Sequence, residues 1–467
     1  MSAGGFSRFA PCQGVVVCAD CSGWFLLLVG ERYFRGHLSV ITHLKIPAHE
    51  PQATDPKVRE IVSQILLDVE REGEVAVRRY SERFDGWSPD RFVLGREDMD
   101  RRIAEVPGEL RAHIDLAAEQ IRQFAEAQRG TLCDVEISTL PGIVLGHKHV
   151  PVGAVGAYSP GGRYPLIASS LMTTVVPRAA GVERIVCAAP PMDGVGIAPA
   201  MLYAMMVGGA DAVVCVGGAH GLAALAFGVE DVAPVDMIVG AGNAYVAEAK
   251  RQLFGRVGID LLAGPTEITV IADGDADPEL VASDIVGQLE HGPTSVGWLV
   301  SISRDVALAA MAAIDRRIAE LPTGEVAAAA WRDYGEVVVC ETREEAAVMS
   351  DRFAGEHVEV HTADPDWYLE NLKNYGSLFL GDETTVPYGD KGVGTNHVLP
   401  TAGAARYTGG LWIGKFIKTL TYQRATPEGS ANIAPAIVAI SEAERLPGHA
   451  RSAQDRLDRL AAPPISA

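Results

Sequence analysis

The chain has 467 residues, of which 48% are hydrophobic and 21% are charged, a composition typical of a folded globular protein. Sixty acidic residues against 40 basic ones give a formal net charge of −20. Because such a chain repels phosphate backbones and anionic lipids, we expect neither nucleic-acid nor membrane-surface binding. No run of 18 uncharged apolar residues is present, so no membrane-spanning helix is predicted.

The seven cysteines do not form a disulfide or zinc pattern. Cys187 and Cys215 lie inside apolar runs, where cysteine usually acts as a small buried hydrophobic residue. Cys18 and Cys21 have the spacing of a zinc-binding pair, but no second pair follows, which makes this weak evidence for a structural zinc. We therefore expect a cytoplasmic protein in a reducing environment.

The first 45 residues differ from the rest of the chain. Their apolar stretch, residues 14–30, is interrupted by Asp20 and lacks the clean apolar core of a secretory signal. We interpret residues 1–45 as a disordered or spurious extension. Residues 56–128 then show the amphipathic spacing of charged helices.

From residue 150 onward, short apolar runs alternate with helical stretches, a pattern that predicts parallel sheets with crossover helices. We predict an α/β fold with two Rossmann-like parallel-sheet units and helical N- and C-terminal segments. The first expected α/β domain consists of residues 46–157, with the N-terminal helices, plus residues 267–410. Residues 158–266 are expected to form the second α/β domain, and residues 411–467 a C-terminal helical dimerisation segment.

Glycine turns follow several of the predicted strands, where parallel sheets bind their ligands. They lie at residues 159–162, 217–218 and 240–242. None has the G-x-G-x-x-G or P-loop pattern, so they are weak evidence for a nucleotide.

The segment from residue 277 to 293 suggests part of a metal site. Asp277 suits a helix N-cap and Pro278 the first helical position, so a helix is expected over residues 278–291. Gln288 and His291 would then share one face of the last turn, whose unpaired carbonyl groups favour a cation. The alternative is a polar helix end in solvent.

Several acid and imidazole side chains lie at places where they could reach a cleft. Glu356 and His357 open an alternating strand, and this pair of residue types is suited to acid–base chemistry near neutral pH. A Glu-His dipeptide alone is common. Further along the chain, Asp390 lies in a glycine-rich loop, and Glu444 and His449 lie near the C-terminus.

Five segments together give the chain a specific resemblance. They are Tyr158–Gly162, Ala263–Glu267, Gln288–Gly292, Glu356–His357 and Gly394–Thr401. With these segments and the spacing between them, the chain resembles the histidinol dehydrogenase family from about residue 56 to its end.

The resemblance implies a dehydrogenase that uses NAD and zinc on a small-molecule alcohol. It implies that the zinc ligands are Gln288, His291, Asp390 and His449, and that the acid–base residues are Glu356 and His357. It implies substrate contacts from Thr266, Gln288, His291, Lys415 and Glu444. The residues that it implies near NAD are Tyr158, His220 and Asn243. It also implies a homodimer in which the C-terminal segment contributes residues to the site of its partner.

The implied chemistry is consistent with these residue types. A Gln, an Asp and two His form a mixed nitrogen and oxygen set that is compatible with zinc. His357 would accept the hydroxyl proton while a hydride leaves to NAD, and Glu356 would activate water to hydrate the aldehyde. A second NAD would take the next hydride, and the product would be a carboxylate.

The chain departs from the usual family pattern around the expected ligands. Thr266 replaces a serine, and His220 replaces a glutamine that faces NAD. Lys415 stands where histidine-pathway members usually carry aspartate, which changes the local charge by two units toward an anionic ligand. The segment GGLWIGKF, which contains Lys415, resembles the corresponding sequence in the branch of the family that oxidises 2,3-dihydroxypropane-1-sulfonate (sulfopropanediol) to 3-sulfolactate.

Three hypotheses about function remain open. The first is oxidation of sulfopropanediol, and the second is oxidation of L-histidinol to L-histidine, which Glu444 fits better than it fits the sulfonate. The third is a family member that only binds a ligand or another protein. The presence of His357 and of every implied zinc ligand disfavours this last hypothesis.

Overall fold

A computed structural model describes residues 16–19, 25–29, 32–36, 41–49, 56–161 and 164–461 of the chain. The strands in these ranges are β1 (Val16–Ala19), β2 (Phe25–Val29), β3 (Arg32–Gly36), β4 (Thr42–Lys45), β5 (Val135–Leu140), β6 (Ile143–Pro151), β7 (Ala154–Tyr158), β8 (Arg184–Ala189), β9 (Ala212–Cys215), β10 (Met237–Val239), β11 (Gly258–Ile259), β12 (Glu267–Ala272), β13 (Val296–Ser301), β14 (Gly335–Val339), β15 (His357–His361), β16 (Ser377–Leu380) and β17 (Ile417–Ala425).

The helices in the same ranges are mostly the crossovers and flanks of these strands. They are α1 (Pro56–Glu72), α2 (Glu74–Asp85), α3 (Arg96–Ile103), α4 (Gly108–Arg129), α5 (Ile167–Ala180), α6 (Pro199–Val207), α7 (Gly218–Phe227), α8 (Ala244–Leu253), α9 (Pro278–Leu289), α10 (Arg304–Glu320), α11 (Gly324–Tyr334), α12 (Arg343–Phe353), α13 (Pro365–Asn371), α14 (Val386–Lys391), α15 (Pro427–Ala443) and α16 (Pro447–Ala461), with 3₁₀ turns at Ala404–Arg406 and Ile413–Phe416.

One sheet has five parallel strands in the order β11-β10-β7-β8-β9. The chain starts in the middle at β7, adds β8 and β9 on one side, and then returns to add β10 and β11 on the other. The connections therefore diverge between β7 and β10, and in such sheets a ligand crevice forms at the carboxyl ends of the strands at that point. All residues of β7 and β10 are buried, as expected for a sheet that is covered on both faces.

A second sheet has six strands in the order β16-β15-β12-β13-β14-β4. Its parallel strands repeat the winding of the first sheet, with β12 in the middle and the connections diverging between β12 and β15. Only β4, at the edge, is antiparallel. The two sheets confirm the prediction of an α/β fold with two parallel-sheet units.

The N-terminal helices pack differently from the expected domain division. We grouped residues 46–157 with the six-stranded unit, but α1 packs on α7 and α8, and α4 packs on α5 and α6, the crossover helices of the five-stranded sheet. The reason is the apolar face of α1, where Val62 and Ile65 share a core with Leu222 of α7. Strand β7 (Ala154–Tyr158) also belongs to this sheet, although the predicted boundary lay at residue 158.

Both ends of the chain contain structure that the sequence analysis did not predict. Most of residues 1–40, which the sequence analysis interpreted as an extension, lie outside the described residues. The described parts of this range are β1, β2 and β3, which form a separate antiparallel sheet. β4 belongs to the six-stranded sheet, so the boundary predicted at residue 45 lies too late. The C-terminal segment is not wholly helical, because β17 pairs with β6 over nine residues and completes a sheet with the order β17-β6-β5.

The C-terminal helices form an arm with little buried surface. α15 packs mainly on α16, and eight of the nine residues of β17 are exposed. Most residues of α15 and α16 are also exposed, including the apolar side chains of Ile440 and Leu460. No helix in the described part of the chain is long and apolar enough to cross a membrane.

Candidate functional site

A cavity of about 770 Å³ opens at the carboxyl ends of the five-stranded sheet. Tyr158 at the end of β7 and Asn243 after β10 lie on the two sides of the point where the connections diverge, and both line the cavity together with His220. Side chains of α2 form part of the opposite wall. The volume lies within the range of small-molecule and cofactor pockets.

The backbone of β7 and the loop after β10 approach each other closely at this point. Gly240 has φ +117°, and a Cβ atom there would clash with the carbonyl oxygen of Tyr158. The buried Asp260 accepts a hydrogen bond from the Gly240 amide at 2.8 Å, and the Lys250 ammonium, which pairs with Asp260, donates to the Gly240 carbonyl at 2.8 Å. These contacts of Asp260 and Lys250 therefore hold the loop that leads into Asn243 in place.

The cavity wall holds its polar side chains in defined positions. The hydroxyl of Tyr158 accepts a hydrogen bond from the Gly218 amide at 3.1 Å, and burial raises the pKa of this hydroxyl to about 12. Asn243 caps α8 through its side-chain oxygen. His220 is buried, and its Nε2 lies 2.9 Å from Asp85 Oδ2. Asp85 was not found by the sequence analysis because 135 residues separate it from His220.

Glu356 lies directly before β15, at the amino end of the six-stranded sheet. Its Oε2 accepts hydrogen bonds from the Thr266 hydroxyl at 2.6 Å and from the Glu267 amide at 3.0 Å. Burial raises its pKa, and these hydrogen bonds and the neighbouring His357 oppose the shift. Within the described residues Oε1 accepts no hydrogen bond, so this oxygen is the one available to a ligand.

His357 is the first residue of β15 and is almost fully buried. Its Nδ1 lies 2.9 Å from the Glu267 carbonyl oxygen, which can only accept, so Nδ1 carries a proton. Nε2 has no hydrogen-bond partner among the described residues and lies 3.6 Å from Asp390 Oδ1. Burial lowers the pKa of this imidazole, but Glu356, Asp390 and the Glu267 carbonyl outweigh burial and raise the pKa to about 9.

Three of the four expected zinc ligands lie around His357. The amide nitrogen of Gln288 donates to Thr266, which leaves its carbonyl oxygen available to a cation. The carboxyl group of Asp390 has a lowered pKa, because His357 and the neighbouring cationic groups outweigh burial. The pKa of His291 is lowered by desolvation, although part of this residue is exposed, and Asp390 is the charged group that most opposes the shift.

The fourth expected ligand lies elsewhere in this chain. His449 is exposed on α16, and Glu444, the expected substrate contact, is exposed at the end of α15. Among the described residues, His291, Asp390 and His449 do not form a group with ligand atoms within 4.8 Å of one another. The structure therefore places Gln288 and Asp390 close to His357 and His291 within electrostatic reach of Asp390, but it does not bring His449 to them.

A model of the histidinol dehydrogenase family matches residues 48–457, which is most of the chain. The chain belongs to the histidinol dehydrogenase family. It is an NAD-dependent oxidoreductase that acts on an alcohol or an aldehyde. The fold agrees, because a crystal structure of histidinol dehydrogenase from Elizabethkingia anophelis superposes with a TM-score of 0.84 and 31% identity, covering 89% of this chain and 95% of that one.

Members of the family with different names match the chain at similar levels. "Sulfopropanediol 3-dehydrogenase" of Ruegeria pomeroyi is 47% identical over 419 residues, which are 89% of this chain and 96% of that protein. "Histidinol dehydrogenase" of Cereibacter sphaeroides is 41% identical over 407 residues, which are 87% of this chain and 93% of that protein.

Lys415 lies in the 3₁₀ turn Ile413–Phe416 of this family member and is half-buried. Its ammonium donates to the Thr408 hydroxyl at 2.9 Å, and no carboxylate of the described residues lies within ion-pair distance. It is absent from the residues that line the large cavity. The positive charge of Lys415 is therefore not neutralised within the described chain.

The sequence analysis missed further residues in this site and next to it. Glu267 accepts from His357 through its carbonyl oxygen, and burial raises the pKa of its carboxyl group to about 8. Glu359 and His361 follow His357 at every second position of β15 and so lie on the same face of the strand. The alternation His-x-Glu-x-His in the sequence is the signal that could have indicated them.

Proposed function

We propose that this member of the histidinol dehydrogenase family oxidises sulfopropanediol to 3-sulfolactate in two NAD-dependent steps through the aldehyde. The observation that carries the choice of substrate is Lys415, a half-buried cation without a carboxylate partner in the described chain. A charge-assisted contact between a lysine and a sulfonate is worth about 1.5–3 kcal/mol. The cysteine pattern supports a cytoplasmic location.

His357 is proposed to take the hydroxyl proton in the first step. Because Nδ1 is held by the Glu267 carbonyl, the lone pair of the neutral ring is on Nε2, the atom that has no hydrogen-bond partner. The alcohol loses this proton to Nε2 and a hydride to NAD, which yields the aldehyde and NADH. The charge of Asp390, which helps to raise the pKa of His357, would be offset by a cation at the same side chain.

Glu356 is proposed to act in the second step. Its Oε2 is fixed by Thr266 and Glu267, and the free Oε1 can accept a proton from the water that adds to the aldehyde. The hydrate, left as its anion by that proton transfer, would then lose a second hydride, which a second NAD would accept, and the resulting carboxylic acid would ionise to the carboxylate. We place NAD in the cavity between Tyr158 and Asn243, with His220 held by Asp85 at its wall.

The donor set around His357 fits zinc. Gln288, His291 and Asp390 offer one amide oxygen, one imidazole nitrogen and one carboxylate, a mixture that zinc accepts. Bound zinc would polarise the substrate hydroxyl group and orient it. We propose that His449 of the partner subunit completes the set and that Glu444 of the partner subunit contacts the substrate, because both lie on the exposed C-terminal arm.

The alternative is L-histidinol as the substrate. Glu444 favours it, because an acidic group pairs better with the ammonium group of histidinol than with a sulfonate. The two candidates are separated by measuring NADH formation with sulfopropanediol and with L-histidinol side by side. We expect a higher kcat/KM for sulfopropanediol, and a higher kcat/KM for histidinol would overturn the choice of substrate.

A charge reversal at Lys415 tests the observation itself. We expect Lys415→Asp to raise the KM for sulfopropanediol by about ten- to a hundredfold, without impairing any turnover of histidinol. Lys418→Asp is the matched control, because Lys418 is exposed on β17 and carries the same charge three residues away. Equal effects of the two variants would show that Lys415 does not contact the substrate.

Complementation between subunits tests the proposed dimer. His449→Ala and His357→Asn chains, each inactive alone, are unfolded together, refolded as a mixture and assayed. If the arm of one subunit completes the site of the other, random pairing restores about a quarter of the wild-type activity, because each mixed dimer then holds one intact site. If each chain forms its own site, no activity returns.

A further inference from the structure

A second cluster of possible metal ligands lies on the face of β15 that carries His357. Asp284 of α9 and Glu359 and His361 of β15 converge so that one ligand atom from each lies within 4.8 Å of the others. The Nε2 atom of His361 is 3.4 Å from Asp284 Oδ2 and 3.4 Å from Glu359 Oε2. His361 and Glu359 are fully buried, and the Asp284 side chain is 13% exposed.

The outer oxygens of the two carboxylates are firmly held. Asp284 Oδ1 accepts from the Thr385 hydroxyl at 2.8 Å, and Glu359 Oε1 accepts from the Val386 amide at 2.8 Å. Among the described residues the inner oxygens have only the His361 imidazole, which makes a long hydrogen bond of 3.4 Å to Glu359 Oε2 and lies at the same distance from Asp284 Oδ2. Two carboxylates thus face one imidazole in a largely buried place, an arrangement that is costly unless a positive charge is present, either as a protonated His361 or as a bound cation.

The outer nitrogen of His361 has the environment of a metal-binding histidine. In the described part of the chain its Nδ1 has no hydrogen-bond partner, and it lies 3.3 Å from Asp382 Oδ1. Histidines that bind a metal through one nitrogen commonly direct the other toward a carboxylate, which fixes the ring and its tautomer. Asp382 is therefore placed to orient His361 toward the two inner oxygens.

The distances from the His361 Nε2 atom to the two inner carboxylate oxygens also fit a metal ion. Ligand atoms bonded to one tetrahedral zinc ion at about 2.0–2.2 Å are about 3.3–3.6 Å apart. The two nitrogen-to-oxygen distances of 3.4 Å have this value. One nitrogen and two carboxylate oxygens are a ligand set for zinc or manganese, and a water molecule can fill the fourth position.

We propose that Asp284, Glu359 and His361 bind a divalent transition-metal ion, at a second site distinct from the one around Gln288, His291 and Asp390. The ion would link α9 to β15. On α9 its ligand lies one helical turn from a residue of the proposed active site, and on β15 its nearer ligand lies two strand positions from another. Asp284 lies four residues before Gln288 on α9, and Glu359 lies two residues after His357 on β15. The bound ion therefore positions Gln288 and His357 relative to each other, and it does not itself contact the substrate.

The location agrees with the winding of the six-stranded sheet. Its connections diverge between β12 and β15, and His361 is the last residue of β15. Ligands of parallel α/β sheets bind at the carboxyl ends of the strands beside such a point. This sheet therefore carries the expected site at that end, in addition to the acid–base residues at its amino end.

The test is the zinc content per chain, measured by elemental analysis after dialysis in zinc-containing buffer and removal of free metal. We expect the wild-type protein to retain two zinc ions per chain. His361→Ala should retain one, and the double variant His291→Ala/Asp390→Asn should also retain one. Adding His361→Ala to the double variant should remove this last ion. Glu248→Gln is the matched control, because Glu248 is also a buried carboxylate but is paired with Arg251. This control should retain both ions.

The outcomes separate the two sites. If wild type and His361→Ala retain the same amount of zinc, the proposal is wrong and the cluster is a buried ion pair held by a protonated His361. If the double variant retains as much zinc as wild type, the proposed active-site zinc is wrong instead. Should His361→Ala fail to fold, cobalt(II) is titrated into the double variant, where a tetrahedral visible absorption spectrum supports the proposal and its absence overturns it.

Discussion

The two parallel sheets have the same winding but expose different ends to the candidate active site. In the five-stranded sheet, the cavity lined by Tyr158 and Asn243 lies at the carboxyl ends of the strands, at the point where the connections diverge. In the six-stranded sheet, Glu356 and His357 lie at the amino end of β15. His291, which lines the cavity, is also a neighbour of Asp390 and His357, so the two ends meet there.

The comparison shows how far a general rule about α/β sheets extends. The rule locates the cavity of the five-stranded sheet correctly. It does not locate Glu356 and His357, whose positions are set by contacts with Thr266, directly before the neighbouring strand β12, and with Glu267, the first residue of that strand. We therefore expect changes at the two ends to separate nucleotide binding from chemistry.

The largest effect is expected at the amino end of the six-stranded sheet. His357→Asn removes the ring nitrogen that is proposed to take the hydroxyl proton, so kcat for the alcohol should fall by about 10²–10⁴-fold. The Kd for NAD, measured by fluorescence titration, should stay within about twofold. A loss confined to NAD binding would contradict the division of roles between the two sheets.

A smaller effect, on the Kd for NAD and not on kcat, is expected at the carboxyl end of the five-stranded sheet. Gly240→Ala places a Cβ atom against the Tyr158 carbonyl and strains a backbone with φ +117°, at a cost of about 1–3 kcal/mol. The Kd for NAD should rise by roughly five- to a hundredfold, with a much smaller change in kcat. Gly274→Ala is the control, since a Cβ atom there has no atom within 4 Å, and it should leave both constants unchanged.

The smallest effect concerns the edge strand β4 of the six-stranded sheet, which belongs to neither of the two strand ends compared above. Deleting residues 1–45 removes β4 and the hydrogen bond from Lys45 to the Gly335 carbonyl at 2.8 Å, so the free energy of unfolding should fall by about 1–3 kcal/mol. Deleting residues 1–40 keeps both and should change it by less than about 0.5 kcal/mol. Denaturant titration of the two truncated proteins measures the difference, and equal stabilities would show that β4 contributes little.

Much of the local structure could be predicted from the sequence. Asp277 caps α9 as expected, through a hydrogen bond to the Glu279 amide at 2.8 Å, and Pro278 opens the helix. The alternation of apolar runs and helices predicted both parallel sheets. These features depend on residues close together in the chain, such as a cap and the amide two positions later, so short-range patterns are sufficient to find them.

The sequence by itself therefore determined the fold class and the family, because each depends on a local pattern or a specific motif. Only the tertiary structure decided which distant residues meet. The pairing of His220 with Asp85, the convergence of Asp284 on His361, and the packing of α1 on α7 all join residues about 80 to 160 positions apart. Such contacts depend on how whole helices and sheets pack, and no periodicity along the chain records that packing.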